Sequence, residues 1–304
     1  MRNPVLLLLL IAATAGFADA GKETVLPLDQ SRNKAHVKVR VGSVVIPDIL
    51  LDTGFTTDGL LIYNPVYRDS LDLAGAMEAE VGGAGAGGRQ KALMLDSADL
   101  YLGDLRLTNQ RVVMLQSDIY KGFPSNGVIG YSLFGHFLTE IDNDNNTMTL
   151  RDSAGAVIDE SWASVPLYFR GSLVPWVDAS VAIGDEAPQI LSTYIDYAAG
   201  DAVVLLEKPG MKFQLPETTE KVFIGRGLSG DIYGKQGKIA KLIIGPYELN
   251  DVLASFADAE VRSKQADGDA ILGVGSLRRF NLIFDYANKK LYLKPNRHFD
   301  DPFD

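Results

Sequence analysis

Ile49-Leu50-Leu51-Asp52-Thr53-Gly54-Phe55-Thr56-Thr57-Asp58-Gly59-Leu60-Leu61-Ile62 is the stretch whose reading decides the fold. Three apolar residues run into Asp52, the chain turns through a small hydroxyl residue and a glycine, and an apolar run resumes at Leu60. Short apolar runs without alternation belong to strands covered on both faces. The turn between them therefore holds one carboxylate still at the tip of a rigid loop, as an acid or base requires. Asp-Thr-Gly is equally an ordinary glycine-closed turn, and it is the rest of the chain that separates the two readings.

Working outward, His36 to Leu51 alternates (Val37, Val39, Val41) and then turns apolar, which is strand patterning. Helical periodicity is almost absent, and Pro65 to Glu80 is the one mixed stretch that allows a short helix. Val81 to Gly88 is glycine-rich, and Gly83, Gly85 and Gly88 satisfy Gly-x-Gly-x-x-Gly. A dinucleotide site needs a helix directly after those glycines. Leu93, Leu95, Leu100, Leu102, Leu105 and Leu107 instead keep a period of two within short strands, so the glycines are expected at a hairpin tip that can approach a ligand closely. Asp142-Asn143-Asp144-Asn145-Asn146 lacks the glycine and the final acid of a calcium loop, with Thr147 and Ser153 in those places, and is expected to be a hairpin turn.

After the polar, irregular stretch Arg151 to Ser164 the pattern restarts. Trp176 to Ile183 alternates, Gln189 to Ile195 leads into Asp196, and Val203 to Leu206 is the apolar strand that leaves it. Asp52 and Gly130 stand 78 positions apart and Asp196 and Gly273 stand 77; Gly130 to Asp142 and Gly273 to Asp285 are both 12. One insertion or deletion over such a span marks a duplicated lobe. The expected division is 1–20 as a leader, 21–160 as the first lobe and 161–304 as the second.

The leader reading rests on Arg2, the apolar run Val5 to Ala13 and the small-residue site Ala18-Asp19-Ala20, a signal-peptide pattern too short to span a bilayer. A periplasmic or secreted protein without a membrane span is expected. The chain carries a net charge of -10 and no basic run, which excludes a nucleic-acid-binding face. Without cysteine there are no disulfides and no thiol catalysis. His36, His136 and His298 have no metal-ligand spacing and no Gly-x-Ser-x-Gly elbow accompanies them, so neither a metal nor a cofactor is expected and carboxylate chemistry remains.

With these pieces in place the chain resembles the aspartic protease superfamily, the pepsin and retropepsin relatives, and within it the bacterial exported aspartyl-protease-like proteins. The residues that carry the resemblance are Leu50 to Gly54, the glycine-rich segment Gly82 to Gly88 and the apolar-apolar-Gly segment Val128-Ile129-Gly130. The resemblance covers nearly all of the chain after the leader. It implies an all-β, two-lobed fold with a cleft between duplicated lobes, the Gly segment packing beneath the aspartate loop. It further implies a catalytic pair Asp52 and Asp196, with Thr53 and Gly54 orienting the first, and a substrate-covering flap containing Gly82, Gly83, Gly85, Gly87 and Gly88.

The second loop departs from the family pattern, since Tyr197 stands where the family has Thr or Ser and Ala198 where it has Gly. The family's small hydroxyl groups bond across the lobe interface, and a phenol reaches differently. Two carboxylates about 3 Å apart cannot both ionise, so they share a proton; one takes a proton from water while the other protonates the scissile carbonyl. Three functions are left open: an endopeptidase acting on peptide or protein substrates as a monomer, a peptide-binding protein that has lost cleavage, and a dimer whose dyad is Asp52 of each chain. Asp142 and Asp285 are expected to be structural, and neither Asp267 nor Asp269 is assigned a catalytic role.

Overall fold

The computed structural model describes residues 23–85, 87–206, 213–258 and 268–303. The leader and Asp267 lie outside the described residues. The first lobe contains β1 (Thr24–Pro27), β2 (His36–Val41), β3 (Val44–Leu51), β4 (Gly59–Ile62), β5 (Met77–Val81), β6 (Gln90–Leu102), β7 (Leu105–Leu115), β8 (Gly127–Ile129), helix α1 (Tyr131–Phe134), β9 (Leu138–Asp142) and β10 (Thr147–Arg151). The second contains β11 (Ala163–Pro166), β12 (Trp176–Ala182), β13 (Gln189–Asp196), β14 (Val203–Leu205), β15 (Glu220–Gly227), β16 (Gly230–Ile244), β17 (Tyr247–Ala257), β18 (Ala270–Gly273), helix α2 (Val274–Leu277), β19 (Phe280–Asp285) and β20 (Lys290–Pro295). The fold is all-β and two-lobed.

The duplication is visible strand by strand. The first-lobe sheet has the order β2-β3-β8-β4-β7-β6-β5 and the second-lobe sheet the order β12-β13-β18-β14-β17-β16-β15. In each, the strand that ends at the aspartate pairs in parallel with the apolar-apolar-Gly strand, Leu51 opposite Ile129 and Asp196 opposite Gly273. The strands β4, β8 and β18 are buried along their length, which is why their sequences are apolar without alternation. The long outer strands β6 and β7 keep the alternation, because one of their faces is wet.

A third sheet joins the lobes, in the order β1-β10-β9-β19-β20-β11, with β9 of the first lobe beside β19 of the second. One continuous apolar cluster runs from Val39 and Leu51 through Phe134 and Phe284 to Ile195 and Leu272, so the lobes share a core. The turns at the ends of this sheet repeat as well. Asn145 donates from its backbone and its amide to Asp142 (2.9 and 2.7 Å), and Asn288 does the same to Asp285 (3.0 and 2.8 Å). Both aspartates are therefore occupied in closing hairpins.

Two local expectations change. Pro65 to Glu80 holds one turn of 3-10 helix at Pro65–Tyr67, capped by the Asn64 side chain, and its end is already β5. The short strands expected from Leu93 to Leu102 are one strand, β6, with a register shift between Leu95 and Ala98.

Candidate active site

Asp52 leaves β3 with its backbone fixed, its N–H donating to the Ile129 carbonyl at 3.0 Å. Its Oδ1 accepts from the backbone N–H of Gly54 (2.7 Å) and of Phe55 (3.1 Å). In the second loop Asp196 Oδ1 accepts from Ala198 (2.9 Å) and Ala199 (3.1 Å) in the same way. The loops thus present their carboxylates alike although the second reads Asp-Tyr-Ala. The glycines beneath them are required by space: a Cβ on Gly130 would stand 2.1 Å from the Asp52 carbonyl oxygen, and one on Gly273 would stand 2.2 Å from that of Asp201.

The loops face each other across the lobe interface. A Cβ on Gly54 would stand 3.1 Å from Asp52 Oδ1 and 4.0 Å from Asp196 Oδ2, which places both carboxyl groups beside the same glycine. The buried Thr53 hydroxyl ties the loops together, donating to the Ile195 carbonyl at 2.8 Å and accepting from the Tyr197 N–H at 2.9 Å. The reciprocal tie is missing, since Tyr197 sends its fully buried ring down to the shared sheet, edge-on to Phe284 and with its hydroxyl 3.3 Å from Asn143 Oδ1. The phenol is a wedge between the second loop and the floor, and one hydroxyl serves both loops.

Desolvation and proximity shift the proton affinities. Burial pushes the Asp52 carboxyl up to about 7, with the Asp196 charge adding to it and the Gly54 and Phe55 N–H groups and Lys34 opposing. Asp196 is raised by burial against the Ala198 N–H, Lys34 and the Ala199 N–H. Two carboxyls so placed titrate as a pair that keeps a proton. Lys34, on the turn before β2, feels Asp196, Asp52 and Asp201, while burial lowers its own proton affinity. Its Cε lies 3.7 Å from where a Cβ on Gly200 would be.

Two hairpins, one from each lobe, meet tip to tip. The first is the β5–β6 turn, with Gly82, Gly83, Gly85, Gly87 and Gly88; the second is the β15–β16 turn around Leu228 and Ser229. The Ser229 N–H donates to the Ala84 carbonyl at 2.9 Å, the Gly87 N–H to the Ser229 carbonyl, and the Gly83 N–H reaches Ser229 Oγ at 3.5 Å. Contact this close is why the tips are glycine: a Cβ on Gly85, where φ is +113°, would stand 2.5 Å from the Ser229 carbonyl carbon, and one on Gly227 2.1 Å from the Ala84 carbonyl oxygen. The second tip is also held to the first lobe, Arg226 donating to the Ile119 carbonyl at 2.8 Å and Tyr120 to the Arg226 carbonyl at 3.3 Å. Tyr120 stacks on Tyr63 at 4.2 Å, and Leu228 packs into their apolar cluster.

No family model matches the chain, and no curated protein matches it. Among the described residues no three His, Asp or Glu side chains gather as metal ligands, and no helix is long and apolar enough to cross a membrane. The histidines are each engaged elsewhere, His36 with Ser125 (2.8 Å), His136 with Asp58 (2.6 Å) and His298 with Asp301 (2.7 Å). Asp269 accepts the Ser192 N–H at 2.9 Å, away from the pair.

Sequence alone assigned a flap role to Gly82 to Gly88 and none to the second glycine-bearing segment, Gly225 to Gly237, whose Gly227 stands at the other hairpin tip. The 144 positions that separate Asp52 from Asp196 also separate Gly83 from Gly227, so the repeat carried the signal. Lys34 had none, being a single lysine ahead of a strand.

Proposed function

We propose that the chain is an aspartic-type endopeptidase, exported to the periplasm or beyond, that hydrolyses extended peptide segments with Asp52 and Asp196 of one chain as its dyad. The observation that carries this reading is the pair of equivalent carboxylates, each accepting two loop N–H groups on one oxygen and both beside Gly54. The ionised carboxyl takes a proton from a water molecule, whose oxygen adds to the scissile carbonyl carbon, while the protonated carboxyl gives its proton to the carbonyl oxygen. Collapse of the resulting diol breaks the C–N bond, with a proton passing to the leaving amine. Because the pair keeps one proton up to about pH 7, cleavage falls on the alkaline side of that value.

The joined hairpin tips support a substrate that enters when they part and is shielded from water when they close. The apolar cluster of Tyr63, Tyr120 and Leu228 beside the loops favours bulky apolar side chains near the scissile bond. The proximity of Asp52 and Asp196 supports the one-chain dyad over a dyad built from Asp52 of two chains. The test is incubation with a mixed peptide library across pH 3 to 8, with new termini identified by mass spectrometry. Cleavage by the wild type and none by Asp52→Asn is expected. Peptide binding without any new terminus in the wild type would replace the enzyme with a binding protein.

A further inference from the structure

The turn before β2 faces α2 and the C-terminal segment across a cavity of about 360 Å³. Its walls carry Lys34, Arg278, Arg279, Arg297 and His298, and Asp301 is the one carboxylate among the described lining residues. In a chain of net charge -10, three arginines and a lysine around one cavity run against the overall balance. An excess of positive charge on the walls of one cavity favours an anion there.

The cations are not equivalent. Arg279 is buried and committed to the chain, donating to the carbonyls of His298 (3.2 Å), Phe299 (3.1 Å) and Pro302 (3.0 Å) and lying over the Phe303 ring. Arg297 lies 3.8 Å from Asp144, and His298 is bonded to Asp301. Arg278 and Lys34, the latter also in the field of Asp196, Asp52 and Asp201, line the cavity from its two walls. Arg278 donates through Nη1 to Asn33 Oδ1 at 2.9 Å, which brings the guanidinium against the turn that bears Lys34 and leaves Asn33 its NH₂ as a donor. A forked guanidinium, a point-like ammonium and an amide, arriving from both lobes, make a donor set that suits a tetrahedral oxyanion.

We propose that this cavity binds a small phosphate-class anion, inorganic phosphate or a phosphate monoester, between Lys34 and Arg278. The ligand bridges the lobes at the floor of the cleft. Since Lys34 also feels Asp52, Asp196 and Asp201, the bound anion and those carboxylates compete for one ammonium. The binding itself stands apart from the proposed peptidase activity and is read without any peptide.

The experiment is isothermal titration of the full chain with inorganic phosphate, and separately with glycerol phosphate, at fixed ionic strength, alongside Tm in phosphate and in sodium chloride of equal ionic strength. Saturable binding of one anion per chain is expected, with Tm raised more by phosphate than by chloride. Arg278→Gln, at a half-exposed position outside the core, is expected to bind phosphate about tenfold or more weakly, the loss of one charge-assisted contact. Lys34→Met gives the same direction from the other wall. Binding of the monoester alone would assign the site to esters and of inorganic phosphate alone to the free anion, and either sustains the proposal. A Tm rise no greater in phosphate than in chloride, or undiminished affinity in a folded Arg278→Gln, overturns it.

Discussion

Replacing Thr53 by Val keeps the shape of the side chain and removes the one hydroxyl that ties the aspartate loops together. The Tyr197 N–H then loses its acceptor and the Ile195 carbonyl loses its donor, at positions where Ile195 and Tyr197 are 0% exposed and Thr53 is 3% exposed. Each buried hydrogen bond contributes about 1 kcal/mol, and each buried polar group left without a partner costs about 1–3 kcal/mol. Thr53→Val is therefore expected to lower the unfolding free energy by about 2–5 kcal/mol, whereas Thr53→Ser, which retains the oxygen, is expected to lose less than about 1 kcal/mol. Equilibrium urea unfolding followed by circular dichroism measures both, and an unchanged m-value shows that the change lies in the native contacts. If Thr53→Val unfolds within about 0.5 kcal/mol of the wild type, the range of ordinary surface substitutions, the hydroxyl is not the tie between the lobes.

Asp52 binds its proton more tightly folded than unfolded, so between its ordinary value of 3.8 and about 7 the native state holds more protons and stability falls as pH rises. Asp52→Asn should flatten that slope in denaturant titrations across pH 4 to 7, and an unchanged slope would show that burial does not govern the carboxyl. Gly85→Ala forces a methyl group into the Ser229 backbone and should part the hairpin tips, seen as faster hydrogen exchange at the Ser229 and Gly87 amides; equal exchange would mean that the tips do not hold each other. Tyr197→Phe should cost less than about 1 kcal/mol because the phenol bond is long, while Tyr197→Ala should cost about 3–5 kcal/mol by opening a cavity above Phe284. Equal costs in thermal unfolding would contradict the wedge role of the ring.

The parts of this molecule that were legible from sequence are those in which local pattern and topology coincide. Leu50-Leu51-Asp52 and Val128-Ile129-Gly130 read as paired features because a strand buried on both faces has no polar alternation, and a glycine under a loop leaves a fixed gap. The constant spacing between halves carried that reading onto Asp196 and Gly273 even where the tripeptide is altered. Tyr197 shows the limit: its backbone N–H takes the place in the tie that any residue could fill, while the direction of its ring is set by Phe284 and Asn143, which are distant in sequence. Lys34 and Arg278 are 244 positions apart and line one cavity in a fold where β9 and β19 join the lobes in one sheet. The short helix allowed at Pro65 to Glu80 is confined to the 3-10 turn Pro65–Tyr67, because the end of the stretch is claimed by β5 pairing with β6, with Met77 opposite Met94 and Val81 opposite Gln90, and tertiary pairing overrides a weak local preference.

The dyad of Asp52 and Asp196 within one chain is tested most directly by the rate of peptide cleavage per chain for wild type, Asp52→Asn and Asp196→Asn, measured over a hundredfold range of protein concentration at mildly acidic pH. Both substitutions should abolish cleavage equally, since the transfer of a proton between two carboxyls needs both, and the wild-type rate per chain should not change with concentration. An active Asp196→Asn variant, with a rate per chain that climbs with concentration, would contradict it.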